Sequence, residues 1–412
     1  MNASINTKSK DWIVEGMCDP ESLSPDDVCL QNADDTRDKF FQLYFANREH
    51  LTYKDTSDSE NPCLLSLFSY KFKGKERFYR IIHRSCNGFQ CGDVPLSSVR
   101  RSFLRKLFCM GPSVTEIARA ALGIGSLRLC PIETTPELVN ELTDFETEAL
   151  YNRMIHKIGI LFVKDGQKSE NIIYSNREVS LKFEEFLSFL GEKVRLLNFQ
   201  GYNGGLNCTK DLSGRRSVYS NFENHEVMFL VAPYLPFSEH DEQQIARKRH
   251  VGNCGIVIVF LDDREGEFDP EVLVSQQNQI VFVIKVFREA EKEEVKQKEK
   301  VLCLKKVSDH RDPESETDDV DDNQDDESDF EEVESPPKRI WYKLSIARKI
   351  SIPEFGPPIP SPGVFKSSKR FRNFLFTKLI SAYTALYQGG DFGAKLCGYY
   401  NHKIKRIISQ YS

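Results

Sequence analysis

The sequence predicts an α/β fold, a central sheet flanked by helices, preceded by a smaller α+β domain. Short apolar stretches rich in β-branched residues recur through the second half of the chain, and segments with helical spacing lie between them. With 412 residues, the chain is too long for one ordinary core. We therefore expect two domains and some disorder.

Changes in composition divide the chain into four parts. Residues 1–38 are polar, with Pro, Ser and Asp, and we expect a disordered lead-in there. Aromatic residues become frequent from Lys39, and the α+β domain is predicted over 39–150. The larger α/β domain is predicted over 151–390, followed by a C-terminal tail over 391–412.

The smaller domain combines strand-like and helix-like segments. Aromatic and β-branched residues crowd two predicted strands, NPCLLSLFSYKF and ERFYRIIHRS. Helical spacing appears in SVRRSFLRKLF, SVTEIARAAL and PELVNELTDFETEAL. In the last of these, Leu138, Leu142 and Phe145 recur on one face, which predicts a helix packed on the sheet.

The larger domain alternates buried strands with helices. KIGILFVK opens it, and a helix follows in SLKFEEFLSFLG, with Ser180 as its N-cap and Gly191 at its end. A long final helix is predicted in FRNFLFTKLISAYTALY, and YNGGLN reads as a turn. The other predicted strands are VRLLNF, SVYSNF, HEVMFLVA, GIVIVF, QIVFVIKVF and IWYKLSIARK.

Charge is distributed unevenly along the chain. The net charge is −6, but 312–334 holds 14 acidic residues and no basic ones, so the remainder carries −6 + 14 = +8. That remainder suits an acidic partner surface. The acidic run belongs to an insertion of about 290–338 between two strands, which we expect to be disordered.

Several functional classes lack their sequence signals. No apolar run approaches the roughly 18 residues of a membrane helix, and the first residues lack the apolar segment of a signal peptide, so we expect a cytoplasmic protein. The 11 cysteines include no C-x-x-C pair, and no H-E-x-x-H metal motif occurs. Phosphate-binding glycine loops and a G-x-S-x-G nucleophile motif are also missing. We expect no cofactor or metal of the protein's own.

One stretch, QQIARKRHVGNCGIVIVF at Gln243–Phe260, combines a basic helix with a buried strand. Gly252 is a helix stop signal, so Asn253 lies at the junction between the two elements. Such junctions often present working side chains to a partner. The basic run Arg247–His250 is too short, and too poor in aromatics, to indicate nucleic-acid binding. Charge alone leaves open a solvated helix face or a surface for an acidic partner.

KRHVGN at Lys248–Asn253, followed by an apolar strand, resembles the signature of the Rap GTPase-activating proteins. The similarity continues in order through KIGILFVKDGQ, FEEFLSFLGEKVRL, YNGGLN, SVYSNFENHEVMF, LPFSEHDEQQIARKRHVGN, FGPPIPSPGVF and FRNFLFTKLI, covering about 156–390. KFFQLYFANREHL, PCLLSLFSY and YRIIHRS resemble the family's companion dimerisation domain more weakly. LRLCPIETTPELVNELTDFE is most similar to the signal-induced-proliferation-associated branch.

The resemblance implies a layout like that of GTPases and an activator of a Rap-like small GTPase. Asn253 matches the family's asparagine "thumb", which positions the attacking water for GTPases that lack their own glutamine. It also implies that His250 braces the thumb as a catalytic residue, and that Arg247, Lys248 and Arg249 contact the GTPase. GTP and Mg would be bound by the partner, which could recruit the chain to membranes, and the N-terminal domain implies a homodimer.

Two positions and the acidic insertion depart from the family pattern. Leu230 stands where the family usually has histidine, and Cys254 stands where it usually has aspartate. Cys254 directly follows the thumb residue. The alternative interpretation is therefore a binding or scaffold module that kept the fold with weak or absent catalysis.

Overall fold

A computed structural model describes residues 4–19, 39–72, 76–125, 127–262, 266–288 and 340–411. In these ranges the strands are β1 (Trp12–Val14), β2 (Met17–Cys18), β3 (Leu51–Asp55), β4 (Cys63–Phe72), β5 (Glu76–Ser85), β6 (Gly88–Pro95), β7 (Leu129–Ile132), β8 (Ile155–Lys164), β9 (Glu192–Arg195), β10 (Arg216–Phe222), β11 (His225–Val231), β12 (Ile256–Asp262), β13 (Ile280–Arg288), β14 (Ile340–Lys349), β15 (Ile359–Pro360) and β16 (Val364–Lys366). The α-helices are α1 (Phe40–Tyr44), α2 (Phe103–Leu107), α3 (Val114–Leu122), α4 (Pro136–Met154), α5 (Glu170–Tyr174), α6 (Leu181–Leu190), α7 (Ile245–Val251), α8 (Lys369–Gln388) and α9 (Gly390–Tyr411).

The larger unit is built on a mixed sheet. Its strand order is β1-β14-β13-β12-β8-β11-β10-β9, and β16 pairs with β14. The four central strands β13, β12, β8 and β11 are parallel, with Ile258 opposite Ile160 on one side and Phe282 on the other. Every side chain from Ile256 to Phe260 is fully buried, as expected for parallel strands covered on both faces.

Helices cover both faces of this sheet. On one face, Phe183 and Phe186 of α6 and Leu375 of α8 pack with Ile258. On the other face, Val251 of α7 belongs to a second apolar cluster beneath the sheet. The predicted α/β class, a central sheet with flanking helices, is confirmed, and Ser180 caps α6 by accepting from the Phe183 N–H.

The smaller unit contains an antiparallel sheet in the order β6-β5-β4-β3-β7. Alternate residues of its strands enter two separate apolar clusters, with Leu64 and Ile82 on one face and Leu65 and Ile81 on the other. The first face is covered by α1, α4 and α9, and the second by α3. The predicted helix in SVRRSFLRKLF is limited to α2, five residues long.

The first residues correct the sequence prediction. Residues 4–19 are not a disordered lead-in, because β1 pairs antiparallel with β14 at the edge of the larger sheet. Trp12 is buried there, and Glu15 forms a buried ion pair with Lys378 of α8, with 2.7 Å between oxygen and nitrogen. Their partners lie more than 300 residues away in sequence, where no local pattern could reveal them.

The end of the chain also differs from the sequence prediction. Residues 391–412 were predicted to be a C-terminal tail. Up to Tyr411 they instead form helix α9, which packs on the smaller unit. The acidic insertion of about 290–338 lies outside the described residues, as do 20–38. The strands on either side of the insertion, β13 and β14, are paired, with Arg288 opposite Ile340.

Candidate functional site

Helix α7 lies directly against strand β8. A Cβ atom on Gly159 of β8 would lie 2.6 Å from Cγ1 of Val251, far inside van der Waals contact. Glycine at this position therefore allows the helix to approach the sheet closely. Val251 is fully buried, so its packing determines how the residues after the helix leave the sheet surface.

The start of α7 is held by two polar side chains. Asp241 Oδ2 accepts from the Ile245 N–H at 2.7 Å. The buried Gln244 adopts a left-handed backbone conformation, with φ of 50°, and its Nε2 donates to Ser238 O at 2.6 Å. These contacts give a short helix a defined beginning despite the missing side-chain N-cap.

Asn253 is exposed just beyond the end of α7. Its Nδ2 donates to the Arg249 backbone carbonyl at 2.7 Å. Among the described residues, this is the one hydrogen bond in which the Asn253 carboxamide takes part. The contact selects one orientation of the amide and leaves its carbonyl oxygen available as an acceptor.

The turn that carries Asn253 is braced from the loop that precedes β13. Asn278 is buried, and its Nδ2 donates to Val251 O at 3.1 Å and to Cys254 O at 2.7 Å. Ser275 Oγ donates to Gly252 O. Neither brace was among the residues predicted from the sequence. Asn278 carried a usable signal, since it is a polar residue two positions before a strand that begins with five apolar residues.

The two departures from the family pattern both point into the core. Leu230 and Cys254 belong to the apolar cluster on the α7 face of the sheet. The Cys254 thiol donates to His250 O at 3.5 Å, and burial raises its pKa to about 12, so it is neutral at physiological pH. Cys254 is therefore an apolar anchor for the turn rather than a charged neighbour of Asn253.

His250 is half-buried beside the turn. Burial lowers its pKa, and the nearby charges of Arg249 and Lys157 act in the same direction, so the imidazole is neutral near pH 7. Its Nε2 lies 3.4 Å from Ser213 Oγ. The ring thus contacts Ser213, while the amide of Asn253 is oriented by the backbone of Arg249.

Lys248 and Arg249 differ in their surroundings. The Lys248 ammonium forms an ion pair with Glu170 at 2.7 Å and donates to Asn171 Oδ1 at 2.6 Å, which ties α7 to α5. Arg249 is exposed, next to Asn253. Within the described residues, Lys248 would have to leave an ion pair to meet a partner, whereas Arg249 would not.

Arg247 was predicted to contact the partner, and the structure contradicts this. Its side chain is 2% exposed, and burial lowers its pKa to about 10, so it remains protonated at neutral pH. The guanidinium donates to four backbone carbonyls, those of Leu235, Tyr174, Asn176 and Pro233. Arg247 faces inward because it lies on the side of α7 opposite the exposed Arg249. Through these hydrogen bonds it connects α7 with residues 174–176 and 233–235.

The residues that the structure describes contain no group of three or more His, Cys, Asp or Glu side chains arranged to hold a metal ion. None of their helices is both long and apolar enough to cross a membrane.

Comparison with known proteins places the chain in a family. The sequence model for Rap/ran-GAP matches residues 173–409, more than half of the chain and including all of α7 and Asn253. The chain belongs to the Rap/ran-GAP family. The family resemblance inferred from KRHVGN is thereby confirmed.

The similar proteins are much longer than this chain. It is 29% identical over 364 residues to signal-induced proliferation-associated 1-like protein 3 of Homo sapiens, covering 86% of this chain and 18% of that protein. It is 28% identical over 373 residues to GTPase-activating Rap/Ran-GAP domain-like protein 3 of Danio rerio, covering 90% and 30%. The solved GAP domain of TSC2 aligns with 57% of this chain and 96% of its own, at 21% identity and a TM-score of 0.38.

Proposed function

We propose that this chain stimulates GTP hydrolysis by a Rap-like small GTPase, using Asn253 as an asparagine thumb. Membership of the Rap/ran-GAP family supports the general activity. The observation that carries the specific role is the exposed, oriented carboxamide of Asn253 on a braced turn. GTP and Mg²⁺ belong to the partner in this scheme.

The chemistry requires positioning more than charge. Hydrolysis proceeds by in-line attack of a water on the γ-phosphate, and many GTPases orient that water with their own glutamine. The Asn253 carboxamide can accept one water hydrogen through its oxygen while its nitrogen is engaged by Arg249 O. Holding the water at the attack position lowers the barrier without any covalent step in the activator.

Neighbouring residues divide the remaining work. Arg249 is the exposed cation beside the thumb and is proposed to contact the acidic surface of the GTPase. Lys248 supports α7 through Glu170 and is assigned to positioning. His250 is proposed to hold the turn against the Ser213 loop, and its neutral ring adds no charge next to the nucleotide.

The test is a single-turnover GTPase assay with a Rap-like protein, titrated with wild-type chain, Asn253→Ala and Arg249→Ala. We expect Asn253→Ala to lower the maximal stimulated rate by about 10²-fold or more, because removing one positioned polar group typically costs that much. Arg249→Ala should raise the half-saturating concentration, increasingly at low salt. Asn140→Ala, at an exposed helical asparagine of the smaller unit, is the matched control.

The outcomes separate the thumb from the alternative. A rate for Asn253→Ala within about threefold of wild type would show that the thumb assignment is wrong. A wild-type chain that binds the GTPase without accelerating hydrolysis would favour the binding module. Cys254, which stands in place of the family's usual aspartate, would then be the first residue to test as the cause of the lost catalysis.

A further inference from the structure

Residues 102–113, here called the protrusion, leave the smaller unit between β6 and α3. They carry five large apolar side chains that are half exposed or more, with Phe103 at 77% and Phe108 at 68%. The other three are Leu104, Leu107 and Met110. Single exposed apolar residues need no explanation, but five within eight positions form a patch of the kind that marks an interaction site.

The protrusion is a folded element with a fixed base. The Glu116 carboxylate accepts from the Ser102 N–H at 2.6 Å and from the Ser113 N–H at 2.7 Å, so it holds both ends of the protrusion together. Arg101 donates to Met110 O at 3.1 Å, and Arg105 donates to Gly111 O at 2.9 Å. The apolar side chains are therefore presented to solvent by internal contacts.

The charge around the patch is mainly positive, with one carboxylate, Glu116, at its base beside Arg105. From Pro95 to Thr115 the chain carries four basic residues and no acidic one. Two of the four, Arg100 and Lys106, are exposed and form no ion pair within the described residues. The protrusion thus combines aromatic and aliphatic tips with free cations around them, which is the composition of segments that lie in a membrane interface.

We propose that the protrusion docks the protein directly on an anionic lipid surface. Phe103 and Phe108 would enter the boundary between headgroups and acyl chains, and Arg100 and Lys106 would contact the lipid phosphates or carboxylates. This contact is separate from recruitment through a GTPase, and it does not depend on the activity proposed above.

Two other occupants fit the patch less well. A second copy packing this patch on itself would bring the exposed cations Arg100 and Lys106 of both copies together, while the Glu116 carboxylate at the base is already engaged by Arg105 and two backbone N–H groups. The chain's own acidic run, 312–334, matches the charge but offers only Val320, Phe330 and Val333 as apolar side chains. A lipid surface satisfies both the charge and the apolar tips.

The experiment is co-sedimentation of the full chain with phosphatidylcholine vesicles, with and without phosphatidylserine. We expect binding to the phosphatidylserine vesicles that weakens as salt is raised. Phe103→Ser with Phe108→Ser should weaken it at least about tenfold, since each loses burial of an aromatic side chain. Arg100→Gln with Lys106→Gln should weaken it about 30-fold, at about fivefold for each basic residue near the surface.

Matched controls lie on the larger unit. Leu212→Ser removes an equally exposed apolar side chain, and Lys210→Gln with Arg215→Gln removes the same net charge, so both should bind as wild type does. Thermal unfolding should be unchanged in all four variants, since the altered side chains are exposed.

Wild-type protein that stays in the supernatant, or protrusion variants that sediment normally, would overturn the proposal. A second result would also overturn it: no vesicle binding, together with a concentration-dependent dimer that only the protrusion variants abolish. The patch would then be a contact between copies of the chain.

Discussion

At the scale of single residues, the basic run of α7 shows how neighbours in one motif acquire different tasks. Arg247 is buried among backbone carbonyls, Lys248 is ion-paired to Glu170, and Arg249 faces solvent. Successive residues on a helix are about 100° apart, so adjacent positive charges point to different surroundings. Only the exposed member has the freedom to meet a partner by charge.

We predict that Arg247→Met lowers the free energy of unfolding by about 2–4 kcal/mol, because buried carbonyls lose a charged donor. Arg247→Lys should also destabilise the protein, since an ammonium cannot reproduce the guanidinium fork. The measurement is urea unfolding at pH 7. Arg249→Met is the control, with an expected change within about 0.5 kcal/mol. A loss at Arg247 no larger than that of the control would refute the structural role.

At the scale of secondary structure, the contact between α7 and β8 determines where Asn253 lies. Gly159 allows Val251 to reach the strand, and the helix then delivers Asn253 to the surface two residues later. Asn278, in the loop just before β13, ties the turn to the segment that leads into the neighbouring strand. A short helix with seven residues would have little stability alone, so packing and these braces supply its position.

The helix–strand contact can be tested by a double substitution. Gly159→Ala should destabilise the protein by about 1–3 kcal/mol, because its new methyl group collides with Val251 Cγ1. Val251→Ala removes the atom that is struck, so the double variant should lose less stability than the sum of the two single losses. Unfolding free energies for all four proteins provide the cycle. Strict additivity would mean that the close approach is not what demands glycine at 159.

At the scale of the whole molecule, both ends of the described chain join distant parts. The strand β1 adds to the edge of the larger sheet, and α9 leaves the larger unit to pack in the core of the smaller one. Two ion pairs join α9 to α4, Lys403 with Glu148 at 2.7 Å and Arg406 with Glu141 at 2.5 Å. The smaller unit is therefore assembled from two separated stretches of sequence, 40–154 and 390–411.

This assembly predicts that stability of the smaller unit depends on the last residues of the chain. Ile404 is fully buried, so Ile404→Ala should lower the unfolding free energy by about 2–5 kcal/mol through lost burial and a residual cavity. Lys405→Ala, next to it on the exposed side of α9, should change little. Thermal unfolding of both variants makes the comparison. Equal melting temperatures for Ile404→Ala and wild type would show that α9 does not contribute to the core.

The sequence by itself determined the elements whose signal is local. Apolar runs predicted the buried strands, spacing predicted α4, α6 and α8, and KRHVGN with the motifs around it identified the family. These features can be predicted from the sequence because each depends on residues within a few positions of one another.

Only the tertiary structure decided which residues meet across long separations. It showed that part of the expected lead-in forms β1, which is held by Trp12 and the Glu15–Lys378 ion pair. It also showed that Arg247, predicted to lie on the surface, is buried. It also showed that Asn278 braces the turn that carries Asn253. Composition cannot distinguish a solvated arginine from a buried one, since the difference lies in whether distant backbone carbonyls converge on the guanidinium and replace its water.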